Sequence, residues 1–373
     1  MAFYWSLWSF FLVMTLLWRD SNKNDRHYAF LLFCILILAV LTGGREGVGN
    51  DWTSYKYMYL YGEATSGQML NEIEPLFRLM MKTCKSMNLS YGMFCFFLSC
   101  LSLAAIWKAL YVNGVRNCWY GFLIYLSLVF CNYQFGIVRH GAMSSFVVLG
   151  YAYLGKYYTL TSSLKKAKKC WRYLLYSIIS VLIGVGFHTS GLLFVLFMPL
   201  LGKQVKPIMV FVLFALAFFI YYSGFLNVFG GALDIVFHET NYEGYLDVDR
   251  WGDYGFSLGV ISKLFIFIYL FFFFKDKYDA DNSYRLWINL LIICLMFIIS
   301  VNQLGVLIQR LGNTMTLSLM FLLPSVSKNI YKSPISILIF FIFIIYLALF
   351  YQLSWNGEMS NMLPFTFRLD NLF

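Results

Sequence analysis

Charged residues are scarce in this sequence. Asp, Glu, Lys and Arg together make up 12% of the 373 residues, whereas soluble domains carry about 25%. Hydrophobic residues make up 60% and recur in long uninterrupted runs, as in transmembrane helices. These runs do not alternate apolar and polar residues as membrane β-strands do. The composition therefore excludes a soluble enzyme and predicts an all-α, polytopic integral membrane protein in a lipid bilayer.

The sequence also lacks the common motifs of nucleotide and metal chemistry. It has no Walker A loop, dinucleotide-binding fingerprint, HExxH pair or nucleophile elbow. Its eight cysteines contain no CxxC pair and mostly lie inside apolar runs, so we interpret them as small buried hydrophobic residues. We therefore predict no cofactor, no metal and no disulfide framework. The formal charge of +10 comes from short loops, so we predict no nucleic-acid partner.

Apolar runs of suitable length predict about 12 transmembrane helices in one membrane domain, residues 1–373. The first run has no basic leader and no cleavage site, so we expect it to be retained as a helix. The pairs at 118–155, 173–202 and 286–323 could each form one long or broken helix instead. The runs lie near 2–18, 28–42, 91–111, 118–134, 137–155, 173–187, 189–202, 207–226, 256–274, 286–304, 306–323 and 334–353.

The distribution of charge predicts which loops face which side. Most Lys and Arg residues fall in loops on one side of the predicted membrane, which the positive-inside rule makes cytoplasmic. Both termini then lie outside, with long outer loops at 43–90 and 227–255 and an outer tail at 355–373. These segments hold most of the Asp and Glu residues and many aromatics. Such long, aromatic-rich loops indicate function rather than disorder.

The first outer loop contains the densest mixture of charged and aromatic residues, GGREGVGNDWTSYKYMYLYGEATSGQMLNEIEPLF at 43–77. The spacing of its aromatics from Trp52 to Tyr61 is close to two and favours a loop with alternating contacts. Trp52 and Tyr55 are candidates to bind sugars, since flat rings stack on sugar rings; a membrane-interface belt would explain them equally well. Residues 75–87 predict a short helix with Leu76, Leu79 and Met80 on its apolar face.

Arginines at membrane depth are the first candidates for chemistry. Arg139 in YQFGIVRHGAMSS and Arg310 in GVLIQRLGNTM lie near the outer ends of apolar runs. A charge there costs roughly 2.5–3.5 kcal/mol, so it faces a partner or a wet cavity. A guanidinium can hold phosphate through two parallel hydrogen bonds, and Arg45 could converge with them on one polyanion. A structural ion pair or a snorkelling side chain is the alternative. Arg250 is a further substrate-binding candidate.

Histidines and carboxylates are the candidates for proton transfer. His188, in GVGFHTSGLL, is a candidate general base because imidazole exchanges protons near neutral pH; a buried, hydrogen-bonded histidine is the alternative. His140, beside Arg139, competes for this role or binds substrate. Glu74 and Asp51 could act as the base, orient an arginine or accept hydrogen bonds from sugar hydroxyls, with plain surface solvation as the alternative.

Several of these motifs, in this order, resemble one known family. GREGVGNDW, EPLF, Arg139 at membrane depth, FHTSGLLF, QRLGN and the tail ending LPFTF are similar to the EpsG-like group of bacterial polysaccharide polymerases, which are Wzy-type O-antigen or capsule polymerases. The resemblance spans nearly the whole chain. Members of the group usually have Asp-Tyr where this chain has Asp51-Trp52, which is a small departure.

The resemblance implies a membrane-embedded, GT-C-like glycosyltransferase that needs no metal. Its donor and acceptor would be oligosaccharides linked to undecaprenyl pyrophosphate, joined on the periplasmic side of the bacterial inner membrane. A chain-length regulator and a flippase would be further partners. In this hypothesis Arg139, Arg310 and Arg45 bind the donor pyrophosphate. His188 accepts the proton of the acceptor hydroxyl, with Glu74 or Asp51 as rival bases.

Three other functions stay open. An O-antigen ligase would use the same donor lipid with a lipid A core as acceptor. A proton-coupled transporter fits twelve helices, since charged residues in carriers often mark proton paths, but it predicts related halves and mid-membrane charges that we do not find. A non-enzymatic assembly partner would not need arginine and histidine at membrane depth.

Overall fold

The computed structural model describes residues 1–18, 25–62, 73–162, 167–223, 258–300, 305–330, 334–356 and 361–372. Within these ranges the chain is almost entirely helical and has no strand, only an isolated antiparallel bridge between Arg45 and Phe367. The prediction of an all-α protein is confirmed. The chain divides into two compact units, one of residues 1–198 and 319–373 and one of residues 199–318. The prediction of a single membrane domain stays a prediction.

The larger unit contains the first outer loop, the tail and most of the candidate residues. Within it, α7 (Val138–Ser162) packs along α5 (Tyr91–Asn113) and α8 (Ala167–Phe187), and α2 (Asp25–Gly43) packs along α5. Its helices are α1 (Ala2–Leu17), α2 (Asp25–Gly43), α3 (Trp52–Tyr61), α4 (Pro75–Ser86), α5 (Tyr91–Asn113), α6 (Cys118–Tyr125), a π-helix (Leu126–Gly136), α7 (Val138–Ser162), α8 (Ala167–Phe187), a 3₁₀ turn (Thr189–Gly191), and the start of α9 (Leu192–Leu201).

The second unit is built around one central helix, α13 (Asn282–Ser300). It packs against α10 (Pro207–Tyr222), α11 (Leu258–Phe273) and α14 (Gly305–Thr316). Asn289 of α13 ties this unit to its first residues: its amide nitrogen donates to the carbonyl oxygens of Leu201 (2.8 Å) and Lys203 (2.6 Å), and its oxygen accepts from the Tyr278 hydroxyl (3.0 Å). The helices of this unit are α10 (Pro207–Tyr222), α11 (Leu258–Phe273), α12 (Lys275–Ala280), α13 (Asn282–Ser300) and α14 (Gly305–Thr316); α15 (Leu319–Ile330) and α16 (Pro334–Asn356) return to the first unit.

Five helices of the described chain are long and apolar enough to cross a membrane, so the count of 12 is not confirmed. The span predicted at 306–323 is wrong as a single helix, because α14 ends at Thr316 and α15 begins at Leu319. Between them the Leu317 and Ser318 amides bond three residues back, to Thr314 and Met315, which is how a helix ends. The five helices cover 25–43, 91–113, 170–187, 282–300 and 337–356.

The first outer loop is more regular than predicted. The aromatic segment forms helix α3, so the prediction of a loop with alternating contacts is wrong. Tyr55 and Tyr59, four residues apart, lie on its buried face, whereas Tyr57 and Tyr61 are exposed. The Tyr59 hydroxyl donates to the Leu89 carbonyl oxygen (2.7 Å), and burial raises its pKa to about 12, so it stays a donor at physiological pH.

The helix predicted at 75–87 is present as α4, and the protein buries a different side of it from the predicted apolar face. Phe77, Met81 and Cys84 are buried, whereas Leu79 is 59% exposed. Leu76 and Met80 are only half-buried. Pro75 occupies the first helical position, where its missing N–H costs nothing.

The tail lies against the glycine-rich start of the first outer loop. Backbone hydrogen bonds join Glu46 to Thr366 (3.1 Å), Gly49 to Asn361 (2.9 Å) and Arg368 to Gly44 (2.8 Å). The Asn371 side chain donates to Glu46 Oε2 (2.7 Å). We call residues 43–49 with residues 361–372 the loop–tail contact. The second outer loop, 227–255, lies outside the described residues.

Candidate active site

The backbone between the π-helix and α7 positions two of the candidate residues. The Ile137 N–H donates to the Asn132 carbonyl oxygen (2.8 Å), which closes the last wide turn, and α7 then begins at Val138. A Cβ on Gly141 would lie 2.4 Å from the Tyr133 carbonyl oxygen, so only glycine allows this approach. π-Helical turns are rare and often occur at functional sites. Here they place Arg139 and His140 in the first turn of α7.

Glu74 precedes α4 at the N-cap position, but its carboxylate does not cap the helix. Glu74 Oε2 instead accepts from Arg139 Nη1 at 2.8 Å, and Oε1 accepts from the Thr189 backbone N–H at 3.4 Å. The Glu74 side chain is 7% exposed and that of Arg139 is 26% exposed. The pair is therefore largely withdrawn from water, while part of the Arg139 side chain stays accessible.

Arg139 is held from a second side by helix α3. Its Nε donates to the Tyr55 hydroxyl oxygen over 3.2 Å. The guanidinium carbon lies 5.6 Å from the centre of the Tyr55 ring and 5.8 Å from that of Phe77. Cations near aromatic rings are stabilised by the ring quadrupole. Arg139 is thus fixed by one carboxylate, one hydroxyl and two rings.

His188 lies where α8 gives way to the 3₁₀ turn. Its Nδ1 accepts from the Ser190 N–H at 3.2 Å and lies 2.9 Å from the Ser190 hydroxyl oxygen. The same nitrogen is 3.9 Å from Glu74 Oε1, which is ion-pair range but beyond a hydrogen bond. A backbone N–H can only donate, so the bond from Ser190 makes Nδ1 an acceptor. The His140 ring meets that of His188 edge-on, with centroids 5.3 Å apart.

One close helix crossing brings Glu74 and His188 together. A Cβ on Gly186 would lie 2.5 Å from Leu76 Cδ1, so glycine lets α8 approach the start of α4. The Thr189 and Ser190 amides, adjacent in sequence, then serve the Glu74 carboxylate and the His188 ring respectively. Of the residues singled out in the sequence, the structure therefore gathers Glu74, Tyr55, Arg139, His140 and His188, which we call the Arg139 cluster.

Arg45 is buried at the start of the first outer loop. It is only 2% exposed, and its guanidinium donates to the carbonyl oxygens of Thr42 (2.5 Å) and Val48 (3.2 Å) and lies over Phe135. Its bonds therefore shape the loop backbone, a role that the sequence did not predict. The phosphate contact predicted for Arg45 stays a prediction.

Asp51 and Trp52 begin α3. Asp51 occupies the N-cap position without capping through its side chain and is half-buried. Trp52 is half-buried under Lys56, whose ammonium lies 4.4 Å from the ring centre. Lys56 also pairs with Glu46 at 3.4 Å. The Trp52 ring is thus engaged on one side by protein, and its role in sugar binding stays a prediction.

The roles predicted for Arg310 and Arg250 stay predictions. Arg310 is half-buried in α14 of the second unit, where its carbonyl oxygen accepts from the Thr314 hydroxyl at 3.2 Å. Arg250 lies outside the described residues. Within the described ranges, no group of three or more His, Cys, Asp or Glu could hold a metal ion.

Sequence reasoning missed the roles of Thr189 and Ser190. Their signal was present in FHTSG, because a small polar residue after a helix end often supplies or receives capping hydrogen bonds. The direct bond between Tyr55 and Arg139 was also missed, since α3 was not predicted to be a helix.

Comparison with known proteins places the chain in a family. No curated protein and no solved structure matches it. A family model described as the EpsG family matches residues 28–367, which include every residue of the Arg139 cluster. Because this match covers most of the sequence, the chain belongs to the EpsG family.

Proposed function

We propose that this protein is a polymerase that transfers a growing glycan from undecaprenyl pyrophosphate to a lipid-linked repeat unit, on the periplasmic side of the bacterial inner membrane. EpsG family membership suggests a polysaccharide polymerase-type function, and the apolar helices with the family suggest a membrane protein. The observation that carries the proposal is the Arg139 cluster, because it combines a cation, a carboxylate and an imidazole within one contact network.

The reaction needs the chemistry that the cluster contains. The acceptor hydroxyl oxygen attacks the anomeric carbon of the donor sugar, and the bond from that carbon to the pyrophosphate oxygen breaks. The electron pair leaves with undecaprenyl pyrophosphate, and the hydroxyl proton passes to a base. Cations fixed in advance stabilise the charge that develops on the leaving group. The base must lie within hydrogen-bond reach of the hydroxyl.

Arg139 is the cation best placed for the pyrophosphate. Its pairing with Glu74 offsets its charge, which lowers the cost of holding it at membrane depth. An incoming pyrophosphate competes with Glu74 for the guanidinium. Glu74 and His188 are the candidate bases, and Asp51 is a more distant alternative. A chain-length regulator and a flippase remain proposed partners.

Deletion of the gene followed by a gel of the host's lipopolysaccharide or capsule tests the proposal. A polymerase deletion leaves core plus one repeat, a ligase deletion leaves core alone, and an unchanged ladder would exclude both.

Complementation of the deletion with variants then tests the Arg139 cluster. We expect Arg139→Lys and Glu74→Gln to reduce the ladder strongly at normal protein level, since a point charge cannot replace the fork of Arg. Arg368→Ala is the control, because Arg368 is an exposed arginine that pairs with Asp370 in the tail. Full ladders from both cluster variants would contradict the proposed site.

A further inference from the structure

The Arg139 cluster contains two candidate bases, and the hydrogen bonds around them are not equivalent. His188 Nδ1 accepts from the Ser190 N–H at 3.2 Å, with the Ser190 hydroxyl oxygen at 2.9 Å. A neutral imidazole carries its hydrogen on one ring nitrogen only, and the bond made by the other nitrogen decides which. An acceptor at Nδ1 therefore places the hydrogen of His188 on Nε2.

We propose that Ser190 is a positioning residue that fixes the Nε2–H form of His188, so that His188 donates a hydrogen bond to the departing pyrophosphate and Glu74 takes the proton of the acceptor hydroxyl. This rests on the proposed function for the identity of the substrate. The assignment of the hydrogen itself rests only on the geometry of the turn.

The Glu74 carboxylate is suited to accept the proton of the acceptor hydroxyl. Glu74 uses one oxygen for Arg139 and the other for the Thr189 N–H, and a carboxylate has about four lone-pair sites, so two remain. Pyrophosphate that draws Arg139 away from Glu74 also frees the Glu74 Oε2 oxygen, which can then accept the proton of the acceptor hydroxyl. Arrival of the donor thus prepares the base. The proton on Glu74 returns to water after the undecaprenyl pyrophosphate leaves.

The imidazole is suited to donation. If His188 were the base through Nδ1, the incoming proton would displace the Ser190 N–H from its acceptor. If it were the base through Nε2, that nitrogen would have to lose its hydrogen first. Neither step is needed when Nε2–H donates to an oxygen that gains negative charge, as donors do in an oxyanion hole.

Two amide substitutions separate the alternatives, because each retains one end of the ring. Asn places a polar group where Nδ1 lies and keeps the acceptor for Ser190, as a good N-cap residue does. Gln extends one bond further and places an N–H where Nε2 lies. Neither amide can act as a base at neutral pH. We expect His188→Gln to keep at least a tenth of the wild-type ladder, and His188→Asn and His188→Ala to lose it at normal protein level.

The activities of the three His188 variants distinguish the proposal from its alternatives. Loss of activity in Gln, Asn and Ala variants alike would overturn the proposal in favour of His188 as the base. An active His188→Asn variant with an inactive His188→Gln variant would also overturn the proposal. It would show that only the side-chain acceptor for the Ser190 N–H matters. A deletion strain with an unchanged ladder would instead refute the proposed function and leave the assignment of the hydrogen untouched.

A spectroscopic test reports the hydrogen directly, without any activity. The full chain has only four histidines, so labelling histidine with nitrogen-15 gives few imidazole signals, and the His188→Gln spectrum identifies those of His188. We expect Nε2 to carry the hydrogen and Nδ1 to show the shift of an unprotonated acceptor. Ser190→Ala keeps the backbone N–H but loses the hydroxyl, and we expect it to weaken this preference. A hydrogen on Nδ1 in the wild-type protein would overturn the proposal.

Discussion

Arg139 and Glu74 stabilise each other because each would otherwise be a poorly hydrated charge. Their 2.8 Å bond lies where the carboxylate is 7% exposed, and breaking a fully buried pair by removing one partner costs about 3–5 kcal/mol. The Arg139 side chain is 26% exposed, so water screens it and the cost is smaller. The pair is therefore a structural element as well as a candidate for catalysis.

Arg139→Met tests that structural part. We expect it to lower the free energy of unfolding by roughly 1–3 kcal/mol, since Glu74 then stays buried without its cation. Adding Glu74→Gln should recover most of this loss, because the amide carries no charge, yet the double variant should make no polymer. Thermal unfolding of the purified protein measures the first effect and the polysaccharide ladder the second. Additive destabilisation in the double variant would show that the two residues are not coupled.

Tyr55→Phe tests the second support of Arg139. Phe keeps the buried ring but removes the oxygen that accepts from Arg139 Nε at 3.2 Å. We expect a stability loss of about 0.5–1.5 kcal/mol and a shorter ladder, because the guanidinium gains rotational freedom. Tyr57→Phe is the matched control, since Tyr57 is exposed on the opposite face of α3. Equal effects from both variants would argue against a specific role for the Tyr55 hydroxyl.

The residues of the Arg139 cluster come from four separate segments of the chain. Tyr55 lies in α3, Glu74 directly precedes α4, Arg139 follows the π-helix, and His188 follows the end of α8. Some glycines allow close approaches between segments that a side chain would prevent. Gly49 is the clearest case, with φ +108° and a virtual Cβ only 1.8 Å from the Phe135 carbonyl oxygen.

Gly49→Ala should therefore disrupt the packing of the loop on the π-helix and reduce the amount of folded protein severely. Gly47→Ala is the control, because Gly47 also has a positive φ (+66°) but nothing lies within 4 Å of its virtual Cβ. We expect the control to cost only the backbone strain of about 1–2 kcal/mol. Protein level and thermal unfolding compare the two. Similar behaviour would mean that strain, and not the close approach, determines the role of Gly49.

The sequence singled out most residues of the Arg139 cluster but predicted few of the hydrogen bonds between them. Arg139 and His188 stood out because charged side chains and imidazoles are rare in apolar runs. Glu74 stood out because its loop contains many charged and aromatic residues. The aromatic spacing did not decide the structure of α3. A spacing close to two fits a loop with alternating contacts, whereas Tyr55 and Tyr59, four residues apart, also fit a helix with one buried face. The exposed Leu79 of α4 fits the short helix with an apolar face that was predicted, because an apolar residue at a membrane surface need not face the protein core.

At the scale of the molecule, α7 relates the site to the predicted membrane. From Val138 to Ser162 it extends about 36 Å at 1.5 Å per residue, which exceeds a hydrocarbon core of about 30 Å. The Arg139 cluster lies at one end of this helix, and the basic segment predicted to be cytoplasmic follows the other end. The predicted topology places the cluster on the outer side, and this placement stays a prediction, since α7 is not among the five described helices that are long and apolar enough to cross a membrane.

Cysteine labelling tests that sidedness. The background is low, because seven of the eight native cysteines are buried, and burial raises the pKa of the Cys84 thiol, which leaves less reactive thiolate. We expect Lys82→Cys to react with a membrane-impermeant maleimide in intact spheroplasts, and Ser162→Cys to react only after permeabilisation. Both positions are exposed. The reverse pattern would invert the topology and place the Arg139 cluster on the cytoplasmic side.

The loop–tail contact has a consequence for biosynthesis. Glu46 and Asn371 are separated by 325 positions in the chain, and contacts of such separation form late. The loop at residues 43–49 leaves the ribosome early, yet several of its backbone groups have no native partner until the tail has been made. During that interval Arg45, which bonds Thr42 and Val48 nearby in sequence, is the side chain able to hold the loop. Arg45→Ala should then slow maturation and increase turnover of newly made chains more than it alters the finished protein, which a pulse-chase experiment would reveal.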